Sequence, residues 1–366
     1  MKVSMIDLHR IYEDIKGDID KAIQRVIENS AFILGGEVRS FEKAFASFVG
    51  ARHAIGVGNG TDAITLALRA CNVGPNDEVI TTALSAFPTA EAVLRIGAKP
   101  VYVDIDPLTF TLDPSKLEGA ITARTRAILP VHLYGRPASM EAISSKAQEY
   151  GLAIIEDCCQ AHGARFDGSA VGTIGRAGCF SFFPSKNLGA MSDGGMVVTN
   201  EDGIAESIRM LRDHGRKDRY LHEAVGYNSR LGGLQAAILA AKLPHLERYN
   251  QQRGVSAEAY RQLITTDVVI LPDAGDSTVL HVFHLFVLRL RKKENRGAFM
   301  AYLADKRIQT NIHYPVPLHR QPAFLVDVDL PVVQEIADQI VSIPLFPLMS
   351  ISEVEYVADA INKWRG

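Results

Sequence analysis

Cysteine is scarce in this chain, long apolar runs are missing, and neither sign of charge dominates. The four cysteines (Cys71, Cys158, Cys159 and Cys179) show neither C-x-x-C spacing nor the density of a disulfide scaffold, which fits a reducing compartment. Cys158 and Cys159 are adjacent at what reads as a strand end, so their side chains leave on opposite faces and do not share a metal. Lysine and arginine total 39 against 42 acidic residues, a net charge of −3. Such a balance offers no general field for nucleic acid or an anionic membrane, and any anionic ligand must be held by local groups. The N-terminal stretch MKVSMIDLHRIYEDIKGDID is acidic and amphipathic, without the apolar segment of a signal peptide, so a cytoplasmic protein is expected. Repeats and low-complexity tracts are absent as well.

What the chain does have is apolar content: 47% of 366 residues, enough for one large core and a smaller second one. The expected division is a large domain over residues 1–242, with a helical N-terminal segment, and a small C-terminal α/β domain over residues 243–366. DEVITTAL (77–84), KPVYVDID (99–106), RAILPVHL (126–133) and LAIIEDC (152–158) are short strand-like runs separated by amphipathic stretches. That alternation implies a largely parallel sheet covered by helices on both faces. Ile64, Ala67, Leu68 and Cys71 fall at helical spacing after Gly60, with Thr61 as the expected cap. Ile11, Ile15, Ile19, Ile23 and Ile27 recur every four residues and predict one stripe on a long helix. After Lys242 come a polar helix over residues 246–264, a strand-like VLHVFHLFVLRL (279–290), another helix and a proline-rich stretch.

Four segments carry candidate chemistry. GVGNGTDA (56–63) runs from an apolar stretch into a helix, so its N–H groups and the helix dipole suit a phosphate, although such loops are also common without one. IIEDCCQAHGA (154–164) puts Glu156 and Asp157 at the carboxyl end of a buried strand, where α/β sheets bind ligands. A carboxylate there needs a cationic or hydrogen-bonding partner, such as a pyridinium nitrogen, and Gln160 and His162 follow within reach of a second polar group. SFFPSKNLGA (181–190) holds a single lysine, Lys186, among small and apolar residues; desolvation would free its amine as a nucleophile. GYNSRLGGLQAAIL (226–239) offers Asn228, Ser229 and Arg230 ahead of a helix, either as caps or as groups reaching a neighbouring subunit's ligand.

In this order, and over essentially the whole chain, the four segments resemble the DegT/DnrJ/EryC1/StrS family of sugar aminotransferases. The resemblance implies the aspartate-aminotransferase-like fold of pyridoxal-phosphate enzymes (fold type I), a homodimer with shared active sites, and a pyridoxal 5'-phosphate cofactor. Residue by residue, Lys186 matches the family lysine that carries the cofactor, Asp157 the carboxylate paired with the ring nitrogen, and Gln160 the residue beside the ring hydroxyl. Gly60, Thr61, Asp62 (through its backbone) and Ser181 match the phosphate cup. Asn228 matches the asparagine that reaches the phosphate from the other subunit. The chain departs from the family at the aromatic that stacks on the ring: Ala86 aligns there, and Phe87 is the nearby aromatic expected in its place.

By the same resemblance the amino donor is glutamate and the acceptor a nucleotide-linked keto-sugar, with C3 of a dTDP-3-keto-6-deoxyhexose favoured over C4 amination or a UDP-linked uronic acid. Two loci suit the sugar nucleotide. RDHGRKDRY (212–220) concentrates Arg212, Arg216, Lys217 and Arg219, either as a diphosphate clamp or as a solvated basic loop. IHYPVPLHRQP (312–322) presents His313, Tyr314 and His319 on a proline-stiffened loop; no supporting ligand appears at a suitable interval, so hydroxyl recognition is expected and no metal. Related sugar dehydratases carry histidine in place of the lysine, which Lys186 contradicts. A non-catalytic regulator on the same fold is the rival of a different class, and no helix-turn-helix or basic reading segment accompanies the chain.

Overall fold

Apolar, β-branched runs buried on both faces are what a parallel sheet needs, and the computed structural model of the chain, which describes residues 1–365, places them so. In chain order the strands are β1 (His53–Val57), β2 (Glu78–Thr82), β3 (Lys99–Val103), β4 (Thr125–Leu129), β5 (Ala153–Asp157), a short hairpin of β6 (Arg165–Phe166) and β7 (Ser169–Ala170), then β8 (Ala177–Ser181) and β9 (Gly195–Thr199). Apart from the hairpin they form one sheet in the order β1-β9-β8-β5-β4-β2-β3. β9 alone runs against its neighbours β1 and β8, while the other pairings are parallel. The carboxyl ends of the like-directed strands therefore share one edge with the amino end of β9.

Alternation along each strand sorts the core into two layers. Ile55, Val57, Val79, Leu129, Ile155, Cys179 and Val197 pack against the helices Gly60–Ala70 and Asp202–Leu211. On the opposite face Phe180, Phe182, Met196 and Val198 meet the helices Gly36–Val49 and Gly233–Lys242. Phe45 is fully buried there, edge-on to Phe180 and Phe182 at ring separations of 5.1 and 5.6 Å; truncating such a ring typically costs about 3–5 kcal/mol.

A second sheet joins β10 (Val269–Ile270), β12 (Phe286–Leu290) and β13 (Ile340–Ile343), all antiparallel, covered by the helices Leu246–Leu263, Arg296–Asp305 and Ile351–Lys363. Val3 belongs to this core: it bridges Ile308, donating to Arg307 O at 3.0 Å and accepting from Gln309 N–H at 2.9 Å.

Local expectations are corrected in three places. The N-terminal isoleucine stripe does not lie on one long helix, because the chain breaks at Ile15 (φ −130°) between the helices Leu8–Asp14 and Lys16–Asn29. A four-residue repeat also advances about 40° per step on a helix with 3.6 residues per turn, so by Ile27 the stripe has left the buried side (52% exposed) and Val26 takes its place. The segment VLHVFHLFVLRL is two strands, not one: β11 (Val279–Leu280) pairs with β6, and β12 lies in the second sheet. Finally, the helix Gly60–Ala70 is capped by Asn59, whose side chain accepts from Asp62 N–H, while Thr61 lies inside its first turn.

Candidate active site

The turns after β1, β2, β4, β5 and β8, with the approach to β9, enclose a cavity of about 260 Å³ at the shared sheet edge. Gly60, Thr61, Asp157, Gln160, Ser181 and Lys186, all expected from sequence, line it. Lys186 sits in the loop leaving β8; its N–H donates to Phe183 O at 2.9 Å, closing the turn around Pro184. Among the described residues its amine meets no acceptor, and burial lowers its pKa below the ordinary 10.5, with Cys159 and Asp157 pulling weakly the other way. A cation partly stripped of water and left unpaired favours the neutral amine.

Asp157 ends β5, almost wholly buried, with Oδ2 accepting from the Thr89 hydroxyl at 2.8 Å and Oδ1 from Cys159 N–H at 3.1 Å. Its neighbour Glu156 points to the other face of the strand. There it accepts from the N–H groups of Gly172, Ile174 and Gly175 at 2.7–2.9 Å and contacts His132 Nε2 at 3.0 Å. Because His132 Nδ1 accepts from Ala138 N–H at 3.0 Å, the ring proton is on Nε2 and donates to Glu156. His132, Glu156 and Cys158 cluster within 4.8 Å, yet these commitments leave the histidine and carboxylate no lone pair set for an ion; the group pins the end of β5 in place.

At the other end of the cavity the helix Gly60–Ala70 presents its amino terminus. Asn59 satisfies Asp62 N–H at 2.8 Å, whereas no acceptor among the described residues meets the N–H of Gly60 or Thr61. Two free donors at a positive helix end, beside the Ser181 hydroxyl, make an anion cradle. The approach is close: a Cβ on Gly60 would stand 2.7 Å from Ser181 Cβ. Across the cavity Gln160 accepts from Tyr134 N–H at 2.7 Å and donates to the Tyr314 hydroxyl at 2.9 Å, which fixes its amide orientation. Burial pushes the Tyr314 hydroxyl up to about 12, so it remains a donor.

Other candidates lie apart from the cavity. The backbone of Asp62 is taken by its cap, and its carboxylate binds Arg95 at 2.9 Å and Ser229 at 2.7 Å. Phe87 packs among Leu84, Ala90 and neighbouring core residues, while Ala86 and Pro88 line the cavity, so no aromatic from this turn faces the ring position. Asn228 is exposed, its backbone bridged to Asp213. Arg216 pairs with Asp213, Lys217 with Glu223 at 2.6 Å, and buried Arg212 with Glu42 at 2.5 Å. Arg219, resting over the Tyr220 ring at 5.4 Å from its centroid, has no carboxylate partner among the described residues. His313 has both ring nitrogens engaged, by Ser342 at 2.8 Å and Asn311 at 3.3 Å, and burial with the Lys186 charge lowers it to about 4. His319 is buried beside Tyr102 and Gln334, and His162 lies between Phe180 and Phe182 with neither ring nitrogen bonded.

Asn59, Ser85 and Thr89 were not singled out from sequence. The signal for the last two is a hydroxyl pair four residues apart at a turn entering the helix Pro88–Arg95, on one face of that turn.

Comparison with known proteins agrees with this geometry. The model of the DegT/DnrJ/EryC1/StrS aminotransferase family matches residues 13–362. The chain is 46% identical to a pleiotropic regulatory protein of Geobacillus stearothermophilus, over 100% of this chain and 99% of the other. It is 44% identical to dTDP-3-amino-3,6-dideoxy-alpha-D-galactopyranose transaminase of Aneurinibacillus thermoaerophilus, over 99% of each. To UDP-N-acetyl-3-dehydro-alpha-D-glucosamine 3-aminotransferase of Acidithiobacillus ferrooxidans it is 42% identical, over 99% and 97%. Among solved structures, DesV of S. venezuelae superposes with a TM-score of 0.95 at 41% identity, covering 99% of this chain and 98% of that one. The chain belongs to the DegT/DnrJ/EryC1/StrS aminotransferase family.

Proposed function

We propose that this chain is a pyridoxal-phosphate-dependent transaminase that moves an amino group from glutamate to a nucleotide-linked keto-sugar, at C3 of a dTDP-3-keto-6-deoxyhexose. One observation carries the reading: a half-buried Lys186 amine, without a partner among the described residues, shares one small cavity with the Asp157 carboxylate. The donor set fits the cofactor. Gly60 and Thr61 N–H with Ser181 would hold its phosphate, Asp157 its ring nitrogen, Gln160 its ring hydroxyl, and Lys186 its aldehyde carbon.

Bound there, pyridoxal phosphate supplies a sink for the electrons released when a proton leaves the donor's α-carbon. Lys186 would serve as the acid and base: its lowered pKa keeps the amine able to take a proton from the donor's α-carbon in the first half-reaction and, in the second, to give one to the acceptor's carbon. Asp157, anchored through both oxygens, keeps a negative charge on the far side of the cavity. Gln160 and Tyr314 orient what lies between.

Support for a sugar nucleotide comes from relatives whose names specify dTDP-linked and UDP-linked 3-amino sugars. A UDP-linked 3-keto sugar is accordingly the second reading. Each site is completed in a homodimer by Asn228 of the neighbouring subunit; its exposed position outside its own cavity accords with that role. The loop carrying Arg216, Lys217 and Arg219 covers the sugar nucleotide, with Arg219 as the cation left for its diphosphate. Incubation with glutamate and a panel of dTDP- and UDP-linked 3-keto and 4-keto sugars, read by mass and NMR, tests this directly. Amination of a dTDP-3-keto sugar is expected at C3; turnover confined to 4-keto sugars would overturn the regiochemistry.

A further inference from the structure

We propose that Thr89 is a positioning residue for Asp157, and that Ser85 and Thr89 form a one-way hydroxyl wire ending on that carboxylate. The proposal rests on Asp157 as the partner of the cofactor ring nitrogen. Ser85, Thr89 and Asp157 are 3%, 1% and 4% exposed and all line the same cavity. Ser85 Oγ stands 2.7 Å from Thr89 Oγ1, which stands 2.8 Å from Asp157 Oδ2. A hydroxyl carries one proton. Thr89 gives its proton to Asp157, so the Ser85–Thr89 contact must run from Ser85 to Thr89.

Every fixed partner of Asp157 is therefore a donor: the Thr89 hydroxyl on Oδ2 and Cys159 N–H on Oδ1. Among the described residues no lysine, arginine or histidine hydrogen-bonds to this carboxylate, so its orientation depends on one hydroxyl and one backbone group. Cys159 N–H is fixed by the chain, and Thr89 is the partner a substitution can remove. The threonine is held from below: its N–H donates to Ala86 O at 3.1 Å in the first turn of the helix Pro88–Arg95, and its branched Cβ restricts χ1. Without that hydroxyl Oδ2 becomes a buried acceptor with nothing to bind, and the carboxylate turns away from the direction a ring nitrogen needs.

The test uses full-length protein freed of cofactor, with three readouts: affinity for pyridoxal phosphate, the pH midpoint of the bound cofactor's visible absorption, and the melting temperature. Thr89→Val should weaken affinity about tenfold and shift the pH midpoint, and Thr89→Ser should restore both. Ser85→Ala should move the midpoint in the same direction by less, and it tests the wire even if Thr89→Val folds poorly. A lower melting temperature with unchanged affinity and midpoint in Thr89→Val, or no midpoint shift in Ser85→Ala, overturns the proposal while leaving the functional reading intact. Wild-type protein that takes up no cofactor overturns both.

Discussion

Lys186 and Asp157 are 29 positions apart in sequence and face one cavity, each made useful by what surrounds it. For the lysine burial decides: it lowers the pKa and favours the neutral, nucleophilic form of the amine. Lys186→Ala should abolish transamination; borohydride treatment and peptide mapping of the wild type should place the cofactor's mass on Lys186. Full turnover by the variant would remove the residue from its role. For the aspartate the charge matters more than the shape. Asp157→Asn preserves the size and should retain cofactor, but slow proton transfer about a hundredfold, roughly 2.7 kcal/mol in the barrier. Single-turnover kinetics with glutamate would read that difference, and an unchanged rate would exclude it.

Elements bring these residues together. The free N–H donors of Gly60 and Thr61 exist because Asn59, rather than Thr61, caps the helix and stops short of them. Gly195 starts β9 where a Cβ would lie 2.3 Å from Asn59 O, so glycine at this position lets the strand pass beside the cap. The helix Gly233–Lys242 reaches the same region: Lys242 donates to Gly189 O in the Lys186 loop, and burial lowers its amine to about 8 from 10.5. Between those values the unfolded chain binds the extra proton, so this group makes stability rise with pH across the window and costs most at pH 8 and below. Thermal melts should thus show Lys242→Met gaining most over wild type near pH 7, with the gain shrinking toward pH 10. A gain independent of pH would mean that desolvation of this amine is not what limits stability.

At the scale of the whole molecule, the entry to and the exit from the second sheet are tied to its covering helix by a buried cation that has no anion among the described residues. Arg253, on the helix Leu246–Leu263, is 2% exposed; its Nη1 donates to Leu345 O at 2.9 Å, His284 O at 3.3 Å and Phe283 O at 3.4 Å. Burial lowers it to about 9. Those carbonyls lie on the crossing between β11 and β12 and just beyond β13. Asn187, next to Lys186, joins the same region by donating to Val282 O at 3.0 Å and Asn250 at 2.8 Å. Arg253→Met would leave the carbonyls unpaired and should cost about 2–4 kcal/mol, seen as a lower midpoint in urea unfolding; an unchanged midpoint would deny the guanidinium any clamping role.

Much of the fold was legible in the residues themselves. Runs such as AIIED are apolar up to their ends and can form little else than covered strands, while the order of GVGNGTDA, IIEDCCQAHGA, SFFPSKNLGA and GYNSRLGGLQAAIL is specific enough to identify the family and nominate Lys186 and Asp157. These signals are local, carried by periodicity and by the neighbours of one lysine. Tertiary structure alone decided which polar groups remain available. His319 and His162 resemble ligands in the chain but are enclosed by packing, and Arg216 and Lys217 are claimed by carboxylates. Thr89, unremarked in sequence, meets Asp157 from 68 residues away. Hydrogen bonds and desolvation depend on distances between segments that no local pattern encodes, because the folding of the whole sheet sets them.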